Sequence, residues 1–170
     1  MITDVFPVGV MSPGNNLVVA VPTLTTPLAP KMADIGATAL DLTDYILEKD
    51  WVMKFDQALD DDTRLSDATK RQSFGIATID MAEINYVYTP QGTGTETGNK
   101  APSVLVPNTS IYIVVRMGKA RATALAIADI VDVYQVQLGA QAQFPQQTGK
   151  YLRTVKTSFT RVASAIALVA

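Results

Sequence analysis

Apolar positions along this chain come in short runs, each closed by Gly, Pro, Asn or Asp. Runs of that length with such boundaries read as β-strands. Residues 17–21 form the first, ended by Pro22. Residues 23–30 hold two prolines and three threonines and read as a loop. Residues 32–35 suit one helical turn, and 39–47 alternate weakly, as a strand would. Trp51, Met53 and Phe55 alternate with Val52 and Lys54, which predicts a half-buried strand. Residues 56–72 are polar and carry Asp60, Asp61, Asp62, Arg64, Asp67, Lys70 and Arg71, the pattern of a long acidic loop. Residues 73–89 read as a long strand or strand pair, with a slip in the alternation at 80–83 that predicts a bulge.

Further along, Gly92, Gly94 and Gly98 mark 91–100 as a flexible loop. Residues 101–106 predict a short helix, with Pro102 suited to its first turn and Pro107 stopping it. Residues 111–117 are a buried strand, apolar on both faces as far as Val115. Residues 124–138 begin Ala-rich and ambiguous for helix, then read as strand from Ile130. Residues 151–163 alternate as a closing strand, and 1–13, punctuated by Pro7, Gly9 and Pro13, read as an extended arm. No repeat or linker divides the chain, so a single domain over 1–170 is expected.

Composition supports a β reading. Thr, Val and Ile supply 48 of 170 residues, and these β-branched side chains fit a pleated surface better than a helix. At 48% apolar the chain can bury a core, while its 18% charged residues fall below the roughly 25% of an average soluble domain. There is no Cys and no His, which excludes disulfides, thiolate nucleophiles, Cys/His zinc sites, His-dependent triads and imidazole acid–base chemistry. The net charge of −2 argues against a generally basic nucleic-acid binder. The first 30 residues carry one charge, Asp4, so no secretory signal is expected, and no apolar run approaches the length of a membrane helix.

Candidate chemistry is sparse. The stretch from Gly92 to Lys100 looks like a phosphate-binding loop, but Asn99 separates Gly98 from Lys100 and Ala101 stands where a hydroxyl is needed. Asp60, Asp61 and Asp62 are adjacent, so their side chains diverge, unlike the alternating ligands of a calcium loop. Asp80 with Glu83, and Asp129 with Asp132, are carboxylate pairs that read as polar strand faces, since acid–base work needs environments that split their pKa values. Asn108-Thr109-Ser110 reads as a turn after Pro107. No catalytic, metal or cofactor site is expected, and a carboxylate-based hydrolase ranks last among the readings.

Charge is unevenly laid out. Residues 34–67 carry ten acids and three bases, net −7, and residues 100–170 carry eight bases and two acids, net +6. Either the two sets mingle on the folded surface, or one acidic and one basic surface meet between copies. A head-to-tail contact of that kind closes into rings or runs on into filaments. The candidate contact residues are Asp60, Asp61, Asp62 and Arg64 on one side, and Arg116, Lys119, Arg121, Lys150, Arg153 and Lys156 on the other.

The order of elements resembles the major tail tube proteins of long-tailed, non-contractile bacteriophages. The resemblance lies in Ala33-Asp34-Ile35 before Ala39-Leu40-Asp41-Leu42-Thr43-Asp44-Tyr45-Ile46, then Leu59-Asp60-Asp61-Asp62-Thr63-Arg64-Leu65 and a long strand. Val104-Leu105-Val106-Pro107-Asn108 before Ile111-Tyr112-Ile113-Val114-Val115-Arg116-Met117-Gly118, then Val131-Asp132-Val133-Tyr134 and Arg161-Val162-Ala163, complete it. It covers most of the chain, and residues 120–128 depart from it. The resemblance implies a β-sandwich or rolled sheet with one short flanking helix, six subunits per ring, and rings stacked into a tube in the virion tail. It implies assembly in the host cytoplasm, with the chain itself, tape measure and terminator proteins as partners. DNA would pass through the lumen without specific binding. The alternative is a monomeric β-sandwich recognition module of carbohydrate-binding or adhesin type, although such modules present exposed aromatics and this chain has one Trp.

Overall fold

In the computed structural model, residues 11–36, 38–96, 98–144 and 149–170 are described. The chain is mainly β. Its strands are β1 (Asn16–Val21), β2 (Leu40–Asp41), β3 (Lys54–Asp61), β4 (Gln72–Asp80), β5 (Glu83–Val87), β6 (Ser110–Met117), β7 (Ile130–Phe144) and β8 (Leu152–Ala167). Two short helices, α1 (Met32–Gly36) and α2 (Ala101–Val104), accompany them, where one flanking helix is expected from the family resemblance. Six strands form a sheet in the order β2-β1-β6-β7-β8-β5, and β3 and β4 form a separate pair. Among the described residues no helix is long and apolar enough to cross a membrane.

The chain packs as two compact units, with β7 and β8 contributing to both. The first comprises residues 1–44, 111–134 and 162–170. In it β1 and β6 pair antiparallel, from Leu17 opposite Arg116 to Val21 opposite Tyr112. Leu17, Val19 and Val21 of β1 share a core with Val114, Val131, Val133 and Leu168, and Ile35 of α1 joins it. Val18 and Ala20 are buried as well, so β1 is covered on both faces, as an uninterrupted apolar run requires.

The second unit comprises residues 45–110 and 135–161. Here β5 pairs antiparallel with β8, and Ile84, Tyr86 and Val155 are buried. Leu105, which caps α2, is fully buried, and Trp51 meets Phe159 edge-on at 6.5 Å between ring centroids. The Gly-rich loop at 91–100 is held by Asn99, which is buried. Its amide accepts from Thr89 N at 3.0 Å and donates to the carbonyls of Thr89 and Thr93.

Several expectations shift. Residues 39–47 give the two-residue β2, then turns and an isolated bridge from Ile46 to Tyr86, with a 3-10 turn at Glu48–Asp50. Thr43 turns back by donating its N–H to Asp41 Oδ1 and accepting from Val18 N. The strand expected at 51–55 starts at Lys54 and runs on to Asp61, so Asp56–Asp61 of the acidic stretch are strand and 62–71 are its turn. The slip at 80–83 is a strand break. β4 ends at Asp80 and pairs with β3, whereas β5 starts at Glu83 and pairs with β8. Residues 1–10 of the arm lie outside the described residues, and Met11–Pro13 are exposed.

Candidate subunit interface

The β3–β4 ribbon is the most exposed paired element among the described residues. Every residue of β3 is exposed, and β4 is exposed except for Gly75 and Ile79, which are half-buried. Its register explains which side chains sit together. Phe55 faces Ile79 and Gln57 faces Ala77; then Leu59 faces Phe74 and Asp61 faces Gln72, with a shift between Gln57 and Leu59. Two residues of β4, Gly75 and Ile76, therefore oppose the single Ala58, which is a β-bulge.

Cross-strand partners share a face and successive residues alternate, so the bulge reverses the parity of β4 without disturbing β3. Phe55, Leu59, Phe74, Ala77 and Ile79 thereby fall on one face, with Gln57, Asp61 and Gln72 among them. The opposite face carries Lys54, Asp56, Ala58, Asp60, Ser73, Thr78 and Asp80, with the exposed Ile76 of the bulge beside Ala58. The glycine suits the bulge: a Cβ on Gly75 would lie 2.7 Å from Asp60 Oδ2 and 3.4 Å from Ala58 Cβ. On the apolar face Phe55 is 58% exposed, Leu59 54% and Phe74 76%. The Arg161 guanidinium of β8 lies 4.9 Å from the Phe55 ring centroid. Among the described residues, neither outer edge of the ribbon pairs with another strand.

The ribbon's turn is built locally. Asp61 Oδ1 accepts from Thr63 N at 3.0 Å, and Thr63 Oγ1 both accepts from Arg71 N and donates to its carbonyl. Asp67 Oδ2 accepts from Arg64 N at 3.0 Å and lies 3.6 Å from Arg71 Nε. The Thr63 contacts hold the Asp61 carboxyl below its ordinary value. Asp60, Asp61, Asp62 and Arg64 all stand exposed at this end of the ribbon.

The basic candidates fare differently. Arg116 is a correction: it is 1% exposed and cannot serve as a surface contact. Its place opposite Leu17 turns it to the core side of β6. There it donates to the carbonyls of Ala120, Thr123 and Ala124 and to Asp129 Oδ2 at 3.2 Å. Lys119 also donates to Asp129, chiefly through which that carboxyl is held below the usual range against the opposing effect of burial. Arg121 bridges Asp41 and Asp44, and Lys156 pairs with Glu83 at 2.7 Å, lowering the Glu83 pKa. Arg153 lies 4.5 Å over the Tyr88 ring, and Lys150 is exposed. Part of the opposed charge thus mingles within one chain, with Asp129 and Glu83 each held in ion pairs.

Sequence reasoning missed the apolar ribbon face. Its signal was present in Phe55, Gln57, Leu59 and Asp61, which alternate, but Phe74 and Ile79 differ in parity and match only through a bulge.

No curated protein matches the sequence. A family model described as phage tail tube protein matches residues 3–170, nearly the whole chain. With the mainly β fold and its uncovered ribbon, that match places the chain in the phage tail tube protein family, as a structural component of the virion tail.

Proposed function

We propose that this chain forms closed rings, six copies to a ring, that stack into the tube of a long non-contractile phage tail. One observation carries the reading: among the described residues the β3–β4 ribbon has both edges unpaired, and its side chains are exposed except for half-buried Gly75 and Ile79. Open edges invite strand addition from another chain, and closure of a ring removes them. The family match supplies the context in which that other chain is a copy of this one.

The polar ribbon face, with Asp56, Asp60 and Asp80 against Lys54, suits a wall past which DNA slides. Phosphate contacts dominate DNA affinity, so a conduit works by withholding cations. The tube's role is passive, without catalysis. Assembly takes place in the host cytoplasm, with tape measure and terminator proteins as further partners. The acidic end of the ribbon, Asp60 to Asp62, meets basic side chains of an adjacent copy, with Lys150 and the exposed part of Lys119 as the candidates.

Size-exclusion chromatography with light scattering, followed by negative-stain microscopy, tests this across protein concentration. Rings or tubes are expected. A monodisperse monomer under all conditions would instead favour the isolated recognition module.

A further inference from the structure

We propose that the apolar face of the β3–β4 ribbon is the surface on which a second copy of this chain docks, and that the Gly75–Ile76 bulge exists to make that face continuous. The inference rests on the tube reading and specifies the contact within it. Without the bulge, a one-residue slip would carry Phe74 across to the polar side, beside Asp60. With it, Phe55, Leu59, Phe74, Ala77 and Ile79 form one strip, of which Leu59, Phe74 and Ala77 are exposed while Ile79 is half-buried and Phe55 meets Arg161 of β8.

Three features fix the occupant as a copy of the chain. The strip is bordered by Asp61 and ends at Asp62, so nucleic acid and anionic membranes are repelled rather than bound. At the acidic end of the ribbon Asp60 and Asp62 have no ion pair among the described residues, and Lys100, Lys150, Arg153 and Arg161 of a second copy have none either, so the same chain supplies the complementary charge. The strip also lies between two unpaired strand edges, where main-chain pairing to a neighbour and burial of the face occur together.

The test exchanges neighbours without changing composition. In Ser73→Phe/Phe74→Ser the ring moves to the polar face, and in Leu59→Asp/Asp60→Leu the leucine does. Because both faces are exposed in the single chain, each variant should keep the wild-type melting temperature and circular dichroism. Each should raise the critical concentration for sedimentable tubes by at least about ten-fold, the effect of one large apolar side chain left uncovered at the contact. Asp56→Thr/Thr78→Asp, an exchange across the polar face, should leave it unchanged.

If either apolar exchange polymerises at the wild-type critical concentration, or the polar exchange is equally damaging, the docking proposal is overturned while the tube reading stands. A wild type that never polymerises overturns both. Wild-type binding to phosphatidylcholine vesicles, lost in Ser73→Phe/Phe74→Ser while tubes persist, would overturn the choice of a second copy.

Discussion

Arg116 and Asp129 hold the turn between β6 and β7. Four hydrogen bonds run from one guanidinium to three loop carbonyls and a carboxylate that is 2% exposed. Removing the cation leaves Asp129 with Lys119 and the Ala126 amide alone, and strips three carbonyls of their donor. Arg116→Leu should therefore cost about 3–5 kcal/mol in urea unfolding, the penalty of breaking a buried pair by deleting one partner. The carboxyl itself sets a pH dependence. Its folded pKa lies below the unfolded value of 3.8, so it adds stability above that value and loses it as the pH falls through the folded pKa. The melting temperature of the wild type should drop on acidification below that value, and more steeply than that of Asp129→Asn. The basic character of Arg116 was legible in the sequence but its burial was not. An arginine closing an apolar run reads as a strand end reaching water, and only the partner carboxylate thirteen residues later reverses that.

At the scale of elements, strands whose faces are covered by their own chain declared themselves. Leu17 to Val21 and Ile111 to Val115 are apolar runs because both faces are buried, and β8 alternates from Val155 to Phe159. The ribbon did not declare itself. Burial is the source of the strand signal, and β3 has none within the chain, so Asp56, Asp60 and Asp61 gave it the look of a loop. A lone two-stranded ribbon is marginally stable in water, and this one leans on its turn. Thr63→Val removes both side-chain bonds to Arg71, each worth about 1 kcal/mol. Amides of 62–72 should then exchange faster with deuterium while the melting temperature of the chain is unchanged. Asn99→Ala acts elsewhere: loss of three bonds in a buried setting should cost about 1–3 kcal/mol of stability and loosen the 91–100 loop.

For the whole molecule, the charge layout is half resolved within the chain and half left for a neighbour. Arg121 with Asp41 and Asp44, and Lys156 with Glu83, mix the acidic and basic segments internally, whereas Asp60 and Asp62 at the ribbon end have no cation within reach among the described residues. A single exposed pair contributes only about 0–1 kcal/mol, but the contact recurs at every interface. Replacing Asp60, Asp61 and Asp62 by lysine should leave the monomer folded and slow or abolish assembly, with asparagines less harmful and added salt slowing the wild type. The central claim is that a neighbouring copy covers the β3–β4 ribbon. Hydrogen exchange of the 54–80 amides, compared between monomer and sedimented tube, tests it most directly. The account predicts fast exchange in the monomer and strong protection in the tube, concentrated in β3 and β4; equal protection in the two forms would contradict it.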